Sequence, residues 1–368
     1  MTGAVLLSDP RDLLAVLLGR GFRVIAPQEA DGVIAYAPLS DPDGLPRGRI
    51  DEQSPGSYRL TDGDPERWFD QVVGPGSWKA WLYPARRKLW SAERSAEGLR
   101  FDTPDDPWPE TVFFGVRPCE LAAMERQDDV FGSGPFADGA YGRRRAGTLV
   151  VVVQCARAAE TCFCASMGTG PRADAGFDLA ITELASDAGP RLLVESGSDA
   201  GQAILADLAA PAAADDDLAE ARRVADATAR AQVRHMPAEV AEGLPRRPGA
   251  AVWDEIATRC LACANCTLAC PTCFCSDVEE TSDLTGEHAE RWRVWDSCFS
   301  ADFSYIHGGS VRPSTAARYR QWMTHKLAWW HDQFGASGCV GCGRCITWCP
   351  VGIDIVAEAT AVLACPEE

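Results

Sequence analysis

The sequence predicts an α/β domain over residues 1–245, followed by a helical, cysteine-rich domain over residues 246–368. Residues 111–155 follow a strand, helix and strand pattern, as in a parallel βαβ unit. The second part instead concentrates cysteines between segments that have helical spacing. A link that contains Pro, Gly and basic residues, LPRRPGA at 244–250, separates the two patterns and is the predicted domain boundary.

Strand and helix patterns alternate along the first part of the chain. A helix is expected over 9–20, because Ser8 and Pro10 can open it and Gly21 can end it. Residues 39–110 are rich in Pro, Gly, Asp and Trp and predict loops with short elements. The run LVVVVQC at 149–155 is nearly all apolar, which is typical of a parallel strand covered on both faces. The other expected strands are 22–26, 32–38, 111–117, 179–184 and 191–195, with a helix over 119–127.

Two further segments have helical spacing. Residues 199–234 are rich in Ala and Asp. Residues 314–334 place aromatic and other apolar side chains, among them Tyr319, Trp322 and Trp330, on one stripe. We interpret that stripe as helix core rather than as a stacking surface for a ligand.

Composition and charge exclude several classes of protein. A chain of 368 residues with 46% hydrophobic content is long enough for two or three globular domains. Its formal charge of −18 argues against nucleic-acid binding, which needs a basic face. No apolar stretch is long enough to span a membrane, and residues 1–14 lack the basic region of a secretory signal. We therefore expect a cytoplasmic protein, in which 16 cysteines indicate metal or redox chemistry rather than disulfides.

Two cysteine runs share the spacing C-x2-C-x2-C-x3-C followed by proline, at residues 260–271 and 339–350. This is the bacterial ferredoxin pattern, in which three cysteines bind one cubane and the fourth binds the other. The alternative, a pair of zinc sites, fits less well, because zinc sites usually use separated C-x2-C pairs. The spacing therefore predicts two [4Fe–4S] clusters with crossed ligands. Cluster one is expected to use Cys260, Cys263, Cys266 and Cys349, and cluster two Cys339, Cys342, Cys345 and Cys270.

Four more cysteines follow two strands of the predicted βαβ unit. Cys119 comes after the strand 111–117, and Cys155 ends the strand 149–155, with Cys162 and Cys164 close behind. Parallel strands end at one edge of a sheet, where open α/β sheets bind ligands. We expect a third iron–sulfur cluster there, with core thiols or a zinc site as the alternatives.

The stretch TCFC occurs at 161–164 and again at 272–275, directly after the first ferredoxin run. Cys273 and Cys275, with Cys298, make only three thiols, and Cys365 lies close to the C-terminus. We expect the three to pack around the clusters and to tune their potentials through hydrogen bonds rather than to bind another.

The motifs also resemble known families. The two runs with helical flanks resemble the α-helical ferredoxin domains of fumarate and heterodisulfide reductases, which implies such a domain over about 250–365. FGVRPCELAA, TCFCASMGTGP, CPTCFCSDV and WDSCFSADFSYIHGG resemble the β subunit of cytoplasmic NAD(P)-linked [NiFe] hydrogenases, the sulfhydrogenases. The electron-transfer subunit of anaerobic sulfite reductase is close kin. The resemblance implies an iron–sulfur electron carrier that works beside catalytic subunits and a flavin- and NAD(P)-binding subunit.

The motifs that an independent enzyme would need are not found in the sequence. The glycine clusters lack the G-x-G-x-x-G context of a nicotinamide site, and no phosphate-binding lysine loop occurs. The sequence therefore favours an electron-transfer subunit of a [NiFe] hydrogenase, with an anaerobic sulfite reductase as the alternative complex. A self-contained flavin- or metal-dependent reductase and a module with structural clusters are less favoured.

Overall fold

The computed structural model describes residues 3–185 and 189–368. Within these ranges, no helix has both the length and the apolar character needed to cross a membrane. The strands are β1 (Ala4–Leu7), β2 (Arg23–Ala30), β3 (Val33–Leu39), β4 (Arg49–Ser54), β5 (Ser57–Asp62), β6 (Arg86–Ser95), β7 (Gly98–Asp102), β8 (Thr111–Val116), β9 (Thr148–Val153), β10 (Leu179–Leu184), β11 (Arg191–Ser196), β12 (Ser276–Ser282), β13 (His288–Trp295), β14 (Tyr305–Ile306) and β15 (Gly309–Ser310).

The helices lie around and beyond these strands. The α-helices are α1 (Pro10–Gly19), α2 (Lys79–Leu82), α3 (Pro118–Phe131), α4 (Gly139–Ala146), α5 (Asp199–Leu205), α6 (Asp215–Arg230), α7 (Val240–Gly243), α8 (Val252–Arg259), α9 (Asn265–Leu268), α10 (Thr315–Thr324), α11 (Trp330–Phe334), α12 (Arg344–Thr347) and α13 (Ile355–Leu363). Pro42–Gly44 and Leu244–Arg246 form 3₁₀ turns, and His325–Trp329 form a π-helical turn between α10 and α11.

The first part of the chain is a mixed α/β sheet domain. Seven strands pair in the order β1-β11-β10-β9-β8-β2-β3. The neighbours β10, β9, β8 and β2 run parallel, whereas both flanks of the sheet are antiparallel. Every residue of β8 is buried, as is typical of a parallel strand covered on both faces. The ends of the predicted strands and of the helix over 119–127 lie within four residues of those observed, and the strand 179–184 coincides with β10.

The connection from β8 to β9 brings the cysteine-bearing loops together. Helix α3 begins at Pro118, directly after β8, and β9 pairs parallel with β8. Pro118 suits the first turn, where a backbone N–H would have no helical partner. Cys119 and Cys155 thus follow two adjacent parallel strands at the same edge of the sheet.

The expectation of an α-helical domain for the second part was wrong in one respect. The segment between the two cysteine runs contains the hairpin β12–β13, so this domain has mixed helix and strand content. β13 also pairs with β6, which gives a four-stranded antiparallel sheet in the order β12-β13-β6-β7. Arg86 stacks over Trp292 at 4.1 Å, and Lys88 pairs with Glu290, so cross-strand contacts stabilise the register.

The four-stranded sheet joins strands from the two sides of the predicted boundary. β6 and β7 come from residues 1–245, and β12 and β13 from residues 246–368. Strand pairing therefore crosses the predicted boundary at 245/246, and that boundary stays a prediction.

The predicted aromatic stripe over 314–334 is core, but its helix is interrupted. Tyr319, Trp322 and Trp330 are buried, and Tyr319 and Trp322 belong to the cluster of apolar side chains that surrounds the second part's cysteines. The π-helical turn His325–Trp329 inserts extra backbone between α10 and α11. Such turns often occur at functional sites. This one places Lys326 beside Cys270, and His325 in a cavity that Cys273 also lines.

Candidate iron–sulfur centres

The predicted ligands of cluster one lie around a single cavity. Cys260, Cys263, Cys266 and Cys349 all border it, together with Cys345. Burial raises the pKa of Cys266, and the neighbouring Cys260 and Cys349 thiols raise it further. Cys349 therefore lies beside the first run although it belongs to the second, as the crossed arrangement requires.

The backbone around cluster one is shaped to point thiols inward. Helix α8 ends at Arg259, and Ala262 and Ala264 have positive φ angles of 49° and 68°, which wrap the chain tightly. The backbone N–H of Ala262 donates to Cys260 Sγ at 3.4 Å, and that of Ile353 donates to Cys349 Sγ at 3.3 Å. Such N–H to sulfur bonds stabilise thiolate ligands and influence cluster potential.

The predicted ligands of cluster two form a second, more deeply buried group. Burial raises the pKa of Cys345, and the thiols of Cys339, Cys342 and Cys270 lie near enough to raise it further. Cys339 and Cys342 are buried, and burial raises the pKa of Cys339 to about 12. The fourth thiol of the first run thus lies with the three of the second.

Gly341 and Gly343, between the cysteines of the second run, permit a close approach to another loop. Their φ angles are 63° and 77°. A Cβ on Gly341 would lie 2.6 Å from the backbone of Cys164, and a Cβ on Gly343 would lie 2.4 Å from the carbonyl oxygen of Thr161. Only glycine permits these positive φ angles together with such close packing against the N-terminal cysteine loop.

Lys326 lies in the same buried region as cluster two. Its Nζ donates to Thr272 Oγ1 at 2.7 Å and to Cys270 Sγ at 3.4 Å. Although burial alone would lower the pKa of Lys326, the thiols of Cys270 and Cys273 raise it well above its usual value. The lysine is therefore a buried cation held against the cysteines. Sequence reasoning missed it, because Lys326 looks like one more charged residue in an amphipathic helix.

The four N-terminal cysteines also converge. Cys119, Cys155, Cys162 and Cys164 are all buried. Burial raises the pKa of Cys162, and the adjacent thiols of Cys164 and Cys155 raise it further. Gln232 Nε2 donates to Cys164 Sγ at 3.2 Å. The strand-edge argument thus predicted which thiols would meet, whereas Gln232 could not be found from spacing.

The three thiol groups lie in a row. Cys345 of cluster two neighbours Cys266 of cluster one. On its other side, Cys342 packs in one apolar cluster with Cys119 and Cys162 of the N-terminal group. Cluster two is therefore the central group, with cluster one and the N-terminal thiols on either side.

A buried ion pair ties the central group to the α/β domain. Arg344, between Cys342 and Cys345, donates to Glu120 at 2.5 Å, and both side chains are at most 1% exposed. Tyr36 and Trp78 also donate to Glu120, at 2.6 and 3.1 Å. The sequence contains a signal for this ion pair, because each partner stands next to a cysteine. Glu120 follows Cys119 in GVRPCE, and Arg344 precedes Cys345 in CGRC.

The remaining cysteines lie in different surroundings. The thiols of Cys273 and Cys270 are hydrogen-bonded to each other, and so are those of Cys275 and Cys298. Cys365 instead bonds a backbone carbonyl, that of Ala361, at 3.6 Å. Cys273 therefore lies beside Cys270, one of the predicted ligands of cluster two.

The donor set suits iron–sulfur clusters. Cubanes bind cysteine thiolates, and the two motif groups supply four thiols each. Among the residues that the structure describes, no three His, Cys, Asp or Glu side chains are placed as ligands of a single metal ion.

Comparisons with known proteins agree with this chemistry. Residues 259–353 match the family model described as a 4Fe-4S dicluster domain, which includes all eight motif cysteines. The chain therefore has two [4Fe–4S] clusters. It is 34% identical to sulfhydrogenase 2 subunit beta of Pyrococcus furiosus over 254 residues, which cover 67% of this chain and 72% of that protein. No solved structure matches.

Proposed function

The chain belongs to the family of sulfhydrogenase beta subunits, and from this premise we propose that it is the iron–sulfur electron-transfer subunit of a [NiFe] hydrogenase complex. One observation supports this role above the others: the thiol groups lie in a row, with cluster two in the middle. Clusters in series conduct electrons, whereas a structural staple would not need to be aligned with its neighbours.

We assign the ligands as the geometry groups them. A cubane bound there would supply one-electron transfer, and the chain's own residues would hold it and set its surroundings. Cluster one takes Cys260, Cys263, Cys266 and Cys349, and cluster two takes Cys339, Cys342, Cys345 and Cys270. The backbone N–H groups of Ala262 and Ile353 stabilise the thiolates of cluster one, and Lys326 stabilises that of Cys270.

The N-terminal thiols extend the row with a third cluster held by Cys119, Cys155, Cys162 and Cys164. Four buried thiols that raise one another's pKa values are costly to ionise unless a cationic group compensates. An iron–sulfur core supplies that compensation, and a core of neutral thiols would not explain why all four meet at one sheet edge.

Cluster one supplies the exposed end of the row. Cys263 is exposed, and Leu261 beside it has 64% of its surface accessible. Leu268, within the first run, and Val351, directly after the second, are also exposed large apolar side chains. Exposed apolar side chains grouped around a redox centre suit contact with a partner subunit.

The partners that fit are the catalytic subunits of the hydrogenase and a subunit that binds flavin and NAD(P). The chain supplies thiols for clusters and no recognisable nicotinamide loop, so the hydride chemistry belongs to a partner. We propose that the complex works in the cytoplasm, where cysteine thiols remain reduced and available as ligands.

The test uses the pure full-length chain, prepared without oxygen. Dithionite should reduce its clusters, yet the chain should neither oxidise NAD(P)H with an artificial acceptor nor evolve hydrogen. Adding the partner subunits should restore electron flow from NAD(P)H. Substantial NAD(P)H oxidation by the pure chain, with flavin bound to it, would mean that the α/β domain is itself an enzyme.

A further inference from the structure

The three cysteines left over from the ferredoxin motifs border one cavity. Cys273, Cys275 and Cys298 line a cavity of about 510 Å³, beside the stretch that follows Cys270. The share of liquid volume that a water molecule takes is about 30 Å³, so this space has room for a group far larger than one ion. Packing around clusters one and two does not explain a cavity of this size.

The three thiols are held in place by local backbone contacts. The backbone N–H of Asp296 donates to the carbonyl oxygen of Cys275 at 3.0 Å, which fixes the loop after β13 against the TCFC stretch. The thiols of Cys275 and Cys298 are hydrogen-bonded to each other. Cys273 is in contact with Cys270. Thiols from two separate segments thus surround the same space.

A fourth donor comes from the π-helical turn. His325 borders the same cavity, and its ring is hydrogen-bonded to Gln333. A neutral histidine ring keeps one nitrogen lone pair that can bind a metal. A hydrogen bond from the second ring nitrogen is the usual way to orient a histidine ligand.

The charges around the cavity match an anionic group. Arg312 and Lys326 both border it, so two cations face the thiols. A cluster ligated by thiolates carries net negative charge, which buried cations stabilise. A dithiol couple of Cys275 and Cys298 alone would leave the cavity, the third thiol and the histidine unexplained.

We propose that Cys273, Cys275, Cys298 and His325 bind a further [4Fe–4S] cluster. Three thiolates and one imidazole supply its four ligands, and the cavity supplies its space. Because Cys273 contacts Cys270, this cluster lies directly beside cluster two and branches from the row. It goes beyond the proposed function, which assigns no cluster to Cys273, Cys275 and Cys298.

Iron content tests the site in the full-length chain. The Cys275→Ala/Cys298→Ala double variant should lose about four iron atoms per chain relative to wild type. Cys365→Ala is the matched control, since its thiol bonds only a backbone carbonyl, and it should keep the wild-type iron content. An unchanged iron content in the double variant, or the loss of one zinc atom instead, would overturn the proposal.

A second measurement does not depend on how the double variant folds. Wild-type chain labelled with ¹⁵N-histidine should show a nitrogen coupling to a reduced cluster in pulsed electron paramagnetic resonance, and His325→Ala should remove it. If no reduced cluster shows a histidine nitrogen, the proposed ligand set is wrong. The cubane signals of clusters one and two report separately on the proposed function, so the two ideas can fail independently.

Discussion

Neutralising Glu120 should destabilise the protein strongly, because this residue is the only carboxylate paired with the buried Arg344 among the residues described. In the Glu120→Gln variant, the guanidinium loses its counter-charge while it stays at 0% exposure. Although burial alone would lower the pKa of Arg344, the Glu120 carboxylate raises it, so the arginine remains charged at every accessible pH.

The magnitude follows from what remains around the arginine. Removing one partner of a buried ion pair typically costs about 3–5 kcal/mol. Two backbone carbonyls, those of Gly74 and Gly76, still accept from Arg344 at 2.9 and 2.8 Å. The substituted amide also keeps an oxygen for Tyr36 and Trp78. We therefore expect a loss near the lower end, about 3 kcal/mol.

Urea unfolding of anaerobic protein, followed by tryptophan fluorescence, measures this loss. Glu66→Gln is the control, since Glu66 pairs with Arg47 at the surface with 60% of its side chain exposed, and we expect a change of about 0–1 kcal/mol. The Glu120→Gln/Arg344→Met double variant should recover part of the loss, because it buries no unpaired charge. A Glu120→Gln variant as stable as wild type would refute the reasoning.

Three further predictions concern the clusters. Cys349→Ala should remove the spectrum of cluster one and spare cluster two, because its thiol crosses between the motifs; loss of cluster two instead would contradict the crossed assignment. Lys326→Met should lower the reduction potential of cluster two by more than about 59 mV, a tenfold change for one electron, because a buried cation stabilises the reduced state. A redox titration checks this, with Lys326→Arg retaining most of the potential, and an unchanged potential in Lys326→Met would show that the charge is screened. Cys155→Ala/Cys162→Ala should lose about four iron atoms per chain, and an unchanged iron content would remove the N-terminal cluster.

The sequence predicted most of the sheet because the relevant signals are local. The apolar runs of β8 and β9 and the turn residues around them determine strands within a few residues. The hairpin β12–β13 was missed for the opposite reason. β12 is exposed throughout and largely polar, and its order comes from pairing with β13, which in turn pairs with the distant β6.

The same distinction applies to the candidate centres. Cluster ligands two or three residues apart are visible in the sequence, because the chain must wrap locally around each group. The charged side chains that contact the predicted ligands, or residues beside them, are distant in sequence from those ligands. Glu120 meets Arg344 through the packing of the two domains, and Lys326 reaches Cys270 from a π-helical turn between α10 and α11. Spacing alone carries no information about such contacts.

The most direct test of electron transfer along the row of clusters measures electron flow in the reconstituted complex. With the wild-type chain, NAD(P)H should drive hydrogen evolution at the catalytic subunits. With Cys339→Ala/Cys342→Ala, which removes the central cluster, the rate should fall to that of a complex lacking this chain, while Cys365→Ala should keep the wild-type rate. Size-exclusion chromatography must show that the variant still assembles with its partners. Hydrogen evolution at the wild-type rate from an assembled complex without cluster two would contradict the account.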